Sequence, residues 1–151
     1  MATKQRHVVI PAVYILFRRK GELLFMLRAR TGYADGNYSL PAGHVDSNEP
    51  AAVAAAREAK EEVDVIVEPA SLRLVHLQHR VSEGDSSERM NVFFEASAWQ
   101  GEFANNEPHK CQELQWFATD NLPANIAPEV RLALVKMAEG HAYSELGFAA
   151  A

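Results

Sequence analysis

The chain has 151 residues, 48% of them hydrophobic, which is enough to bury one core without help from a partner. A net charge of −5 excludes a global basic field that would draw in a nucleic-acid duplex or an anionic membrane, so a polyanionic ligand would need metal ions or local arginines. A lone cysteine, Cys111, excludes an intrachain disulfide framework and agrees with a reducing cytosol. The start, Met1 to His7, is polar and basic, and the segment after it is apolar for only about ten residues before Arg18, Arg19 and Lys20 interrupt it, a pattern that fits neither a signal peptide nor a membrane span. These features predict a single domain over residues 1–151, cytoplasmic, as a monomer or homodimer.

Val8 to Phe17 and Leu23 to Leu27 are apolar, β-prone runs joined by Arg19-Lys20-Gly21-Glu22, which predicts a β-hairpin. Thr31 to Asn37 has turn chemistry, Tyr38 to Pro41 reads as a short strand, and Ala42 to Asn48 reads as a loop. An alanine-rich helix is predicted over Glu49 to Val63, with Ser47 or Asn48 as N-cap and Pro50 in the first turn. Strands follow at Leu72 to Val81, Met90 to Trp99 and Glu113 to Ala118, and then a helix from Pro128 to Glu139 that ends at Gly140. The order β-β-α-β-β-β-α places the chain among α+β or α/β folds, a mixed sheet with helices packed on it.

At about 100° per residue, Ala52, Val53, Ala56, Ala59 and Val63 fall on one side of the first helix and Glu58, Glu61 and Glu62 on the other. Glutamates three and four positions apart repel one another unless something neutralises them. A hard divalent ion would do so, because such ions take oxygen ligands and let a substrate's phosphates complete the coordination. The plainer alternative is a solvated helix face on which Arg57 pairs with Glu61.

The wider spacing goes further. Gly43, five residues, Glu49, seven residues, and then Arg57-Glu58-Ala59-Lys60-Glu61-Glu62-Val63-Asp64-Val65 resembles the Nudix box across 23 residues. Two positions depart from the pattern: Ala59 is a small version of an aliphatic residue, and Asp64 stands where glycine is usual, just past the helix end, where a left-handed conformation is often needed.

The resemblance implies the α/β/α Nudix fold and a MutT-like, Mg²⁺-dependent hydrolase, with Mn²⁺ as a possible substitute. Such an enzyme splits a pyrophosphate bond in a nucleoside triphosphate or a nucleoside diphosphate derivative, taking the triphosphate to monophosphate and pyrophosphate. By position, Ala42, Glu58, Glu61 and Glu62 would ligate the metal, with Glu107 added from the later loop and Glu102 and Glu113 as alternatives to it. Arg57 and Glu49 would tie the helix to its loop beside Gly43, holding the ligands in register. Water activated by the metal would attack phosphorus, its proton passing to a glutamate; Glu61 and Glu58 rank ahead of Glu107 as that base. Arg28 resembles a substrate-contacting arginine of MutT-type members, and Asn125 a purine-reading asparagine, each with a plain surface or turn role as alternative.

The histidines show no zinc-like spacing and read as structural, although His44 lies in the site loop. Two further readings stay open. One is an ADP-ribose or nucleotide-sugar pyrophosphatase, whose usual proline after the box is replaced here by the stretch Arg80 to Ser82; the other is a non-catalytic nucleotide-sensing Nudix domain, which would typically have lost box glutamates. Specificity loops are expected at Thr31 to Asn37 and Ser82 to Arg89.

Overall fold

The computed structural model describes residues 3–82 and 87–150, so the Ser82 to Arg89 loop lies partly outside the described residues. The predicted hairpin is present as β1 (Ile10–Arg19) and β2 (Glu22–Arg28), turning through Lys20 and Gly21, both at positive φ. β1 is central because both of its faces are covered. Val13, Ile15 and Phe17 point into one apolar cluster, and Ala12, Tyr14 and Leu16 into another. A strand buried on both sides reads as a continuous apolar run, which is how this segment appears in the sequence.

β1 pairs antiparallel with β4 (Ala42–His44) and parallel with β6 (Glu88–Ala96), and β6 pairs antiparallel with β5 (Arg73–Val81). On the other side of the hairpin, β2 carries β3 (Tyr38–Ser39) and β7 (Cys111–Ala118), both antiparallel. Helix α1 (Ala51–Val63) covers the first cluster, and α2 (Pro128–Ala138) lies in the chain segment that covers the second. The result is the expected mixed sheet between helices. No helix among the described residues is long and apolar enough to cross a membrane.

Four details differ from the sequence reading. The start of α1 is capped by Pro50 with no side-chain cap bond, rather than by Ser47 or Asn48, and the helix begins at Ala51. The carboxylate of Glu49 is instead engaged by Arg57 and by the Asp46 N–H, and Asn48 takes a left-handed conformation in the turn. The core stripe of α1 is Ala54, Ala55, Ala59 and Val63, while Val53 is 41% exposed. The expected loop from Ala42 begins with a strand, because β4 satisfies its main chain on β1. Finally, β8 (Tyr143–Leu146) was not expected from the sequence: four mostly polar residues become a strand only because β5 offers a parallel edge.

The β5–β8 edge is held by buried polar groups. His76 is 1% exposed, with Nδ1 at 3.0 Å from the His141 carbonyl and Nε2 at 2.8 Å from the Ser144 hydroxyl. Gln78 donates to the Glu129 carbonyl of α2 and accepts from Asn91. A neutral imidazole satisfies both contacts of His76 by donating at one nitrogen and accepting at the other. Burial lowers the His76 pKa below 6.5, against the opposing effect of the His141 bond. As pH falls, the unfolded chain therefore takes its proton first, and the stability His76 contributes above pH 6.5 is lost as pH drops through its folded pKa. Thermal unfolding followed from about pH 8 to about pH 5 should show the wild type losing more stability than His76→Gln; parallel profiles would refute this role.

Candidate active site

The chemistry of α1 follows from where its carboxylates sit around the helix. Glu62 lies only about 20° from Ala55 in helical projection, on the edge of the core stripe rather than opposite it. Its carboxylate accepts the Ala42 N–H at 2.9 Å, joining the end of α1 to the start of β4. Burial pushes the Glu62 carboxyl up to about 8; the Ala42 bond opposes the shift, while the Glu58 and Glu107 carboxylates add to it. Burial also raises Glu58, against the pull of Arg57. Glu61 is exposed.

Gly43 shows why the loop approaches so closely. A Cβ built there would lie 2.0 Å from Glu58 Oε1, so any side chain would occupy the space of that carboxylate.

Arg57 ties these parts together. Its guanidinium forks on to Glu49 at 2.8 and 2.9 Å, donates to Glu58 at 2.8 Å and Glu61 at 3.2 Å, and reaches the His44 carbonyl at 3.0 Å. The paired guanidinium holds the Glu49 carboxyl down at about 2. Beyond the helix, Asp64 takes the left-handed conformation (φ 62°, ψ 24°) usual for glycine, with its carboxylate held by Lys60.

Two clefts meet at this loop. In one, of about 600 Å³, Glu58, Glu61, Glu62 and Glu107 face Ala42 and Gly43, with Arg28, Arg30 and Lys110 on the wall. The other, of about 640 Å³, shares Arg28, Ser39, Ala42, Gly43 and His44 with the first. Its floor is a nearly sealed pair, Arg80 and Glu129, whose charged atoms lie 3.5 Å apart. The Tyr33 hydroxyl donates to Glu129 at 3.1 Å and accepts from Arg80. Arg28 spans the junction, donating to the Tyr33 carbonyl at 2.8 Å and to Thr31 at 3.0 Å.

The residues singled out in the sequence thus divide. Ala42, Gly43, Glu58, Glu61, Glu62, Glu107 and Arg28 share one cleft, and Arg57 with Glu49 braces it. Glu102 and Glu113 line neither cleft, and Glu113 accepts the Tyr38 hydroxyl. Asn125 is exposed outside both clefts, its amide donating to the Gly36 carbonyl at 2.9 Å. The Tyr33–Arg80–Glu129 set escaped sequence reading, because three residues spread over 96 positions leave no local pattern.

The glutamate cleft suits a hard cation: its acidic donors are all carboxylates, one of them desolvated, beside a position where only glycine fits. Among the described residues no three acidic, histidine or cysteine side chains form a ready ligand set, since Glu58 and Glu61 are turned on to Arg57.

Comparison with known proteins gives the same class. The NUDIX domain family matches residues 6–136. The NAD-capped RNA hydrolase NudC of Stutzerimonas stutzeri is 33% identical over 115 residues, covering 76% of this chain but only 38% of that protein, so the chain spans well under half of the relative's length. The crystal structure of a MutT NUDIX hydrolase from Burkholderia pseudomallei superposes with a TM-score of 0.77 at 27% identity, over 85% of this chain and 98% of that one. The MutT protein of Methanosarcina mazei Go1 shares the fold at 19% identity, with a TM-score of 0.71 over 87% of this chain and 94% of that one. The chain belongs to the Nudix hydrolase family.

Gly43→Ala should displace the Glu58 carboxylate while leaving the core untouched. The expected result is a loss of about a hundredfold in kcat/KM with little change in melting temperature. Full activity would show that the close approach is dispensable.

Proposed function

We propose that the chain is a MutT-like pyrophosphohydrolase that uses Mg²⁺, or Mn²⁺ in its place, to convert a nucleoside triphosphate, or a related nucleoside diphosphate derivative, by cleaving within its phosphate chain. One observation carries this reading: Glu62, its carboxylate bound to the Ala42 N–H at 2.9 Å, lines a single cleft with Glu58 and Glu61 of the same helix and Glu107 of the later loop.

In this reading Ala42, Glu58, Glu61, Glu62 and Glu107 hold the ion. A divalent cation bound there supplies Lewis-acid polarisation of a phosphoryl oxygen and lowers the pKa of a water. Glu61 or Glu58 takes the proton from the attacking water, ahead of Glu107. Arg57 acts as an orienting group: it holds Glu58 and Glu61 on one side and Glu49 and the His44 carbonyl on the other. Arg28, at the junction of the clefts, grips phosphate, and the cleft floored by Arg80 and Glu129 receives the far end of the substrate. Asn125, the counterpart of a purine-reading asparagine, holds the Gly36 turn through its amide.

The test incubates the protein with Mg²⁺ and nucleoside triphosphates, oxidised and methylated triphosphates, ADP-ribose, a nucleotide sugar and dinucleotide pyrophosphates, with products resolved by chromatography. Glu62→Gln is run alongside. Release of pyrophosphate and a monophosphate from a triphosphate, with the variant reduced more than about a hundredfold, is the expected result. Cleavage confined to ADP-ribose or a sugar nucleotide would move the assignment to that class, and no cleavage by the wild type would favour a nucleotide-sensing domain.

Stability gives an independent check. The Glu62 carboxyl is raised from 4.5 to about 8, so without metal its contribution favours folding most below pH 4.5 and is lost as pH rises through about 8. A cation that binds the ionised form reverses this. Mg²⁺ should therefore raise the melting temperature of the wild type near pH 8, whereas Glu62→Gln should melt higher than the wild type in EDTA and respond little to Mg²⁺.

A further inference from the structure

Glu107 belongs to a loop, yet it sits opposite three glutamates of a rigid helix, and something must hold it there. The turn that carries it is closed by its own carbonyl, which accepts the N–H groups of Lys110 and Cys111, each at 2.9 Å. Its N–H donates to Asn105 Oδ1 at 3.1 Å. On the α1 side, Asn106 donates its main-chain N–H to the Glu62 carbonyl at 3.1 Å and its side-chain amide to the Lys60 carbonyl at 3.2 Å. On the opposite side the turn is met by Arg30.

Arg30 lies just past the end of β2, in a left-handed conformation (φ 58°) that non-glycine residues seldom adopt. From there its guanidinium donates to two successive main-chain carbonyls, Pro108 at 2.5 Å and His109 at 3.2 Å. The preceding residue adds a main-chain bond, Ala29 N–H to the Lys110 carbonyl at 2.9 Å. A guanidinium presents its donors in a fixed planar fork, so two adjacent carbonyls define both the position and the tilt of the peptide that follows Glu107. Lysine, a single flexible ammonium, would fix position less well and tilt hardly at all.

We propose that Arg30 is the positioning residue for Glu107, clamping the Glu107–Cys111 turn across the cleft from α1 so that this carboxylate meets those of Glu58 and Glu62. The inference rests on the reading that these glutamates act together on a divalent ion. It assigns Arg30 to the main chain of the turn rather than to the substrate's phosphates, which an arginine on this wall would otherwise be expected to grip.

The experiment compares the wild type, Arg30→Ala, Arg30→Lys, Glu107→Gln and the Arg30→Ala/Glu107→Gln double variant, with folding checked by circular dichroism. Mn²⁺ binding is measured by calorimetry without substrate, and kcat/KM is measured on the best nucleotide. Arg30→Ala and Glu107→Gln should each weaken Mn²⁺ binding several-fold, the double variant should be no weaker than either single one, and Arg30→Lys should recover part of the loss. Amide exchange at Lys110 and Cys111 should quicken in Arg30→Ala and stay unchanged in Glu107→Gln. The inference is overturned if Arg30→Ala leaves Mn²⁺ binding intact, or if its effect multiplies with that of Glu107→Gln, since Arg30 would then act on its own. If the wild type hydrolyses nothing while the non-additive Mn²⁺ pattern holds, the pyrophosphohydrolase reading fails and the clamp stands.

Discussion

The arrangement of the site depends on the guanidinium of Arg57. It is a fork that meets Glu49, Glu58, Glu61 and the carbonyl of His44 at once, so the loop before α1 and the second turn of α1 cannot move apart without breaking several charge-assisted bonds. An isolated exposed ion pair adds little to stability, but here the guanidinium is about three-quarters covered and Glu49 and Glu58 are more deeply covered still. What the network provides is register. With the loop fixed, Gly43 can lie against Glu58 and the Ala42 N–H can reach Glu62.

That register concentrates like charge. Four glutamates share one cleft, three of them on a helix whose other side is alanine and valine against the sheet and the fourth, Glu107, on a loop; burial pushes Glu62 towards neutrality. A protein seldom retains such an arrangement for stability alone, since desolvated carboxylates oppose folding unless they are paired or protonated. Apart from Arg57, which is bonded to Glu58 and Glu61, the positive charges of the cleft, Arg28, Arg30 and Lys110, belong to its wall outside α1.

The loop between β2 and β3 joins the two clefts. Its Arg30 end reaches the Glu107 turn, and its Tyr33 end reaches the buried Glu129–Arg80 pair. The segment of turn chemistry from Thr31 to Asn37 therefore forms a wall common to both halves of the site. Within it, Asp35 accepts the N–H groups of Thr31 and Gly32 and the Thr31 hydroxyl, giving the loop a fixed shape of its own.

The sequence by itself determined the hairpin, α1, the three later strands, α2 and the box residues, because each depends on spacing within a short stretch: apolar runs, helical periodicity, and a glycine and charges at set intervals. It also marked Asp64 as the left-handed helix end, since that conformation belongs to a single position. Only the tertiary structure decided the remainder. Pro50 stands at the N-cap with no side-chain bond, while Asn48 lies in the preceding turn at positive φ; β8 exists because β5 offers an open edge; Glu62, unlike Glu61, is desolvated because α1 leans on β4. Tyr33, Arg80 and Glu129 meet, and Arg30 reaches Glu107's turn, across separations of 47 to 96 and of 78 and 79 residues. No local pattern encodes contacts of that range, since they arise only when the sheet brings distant strand ends to one side.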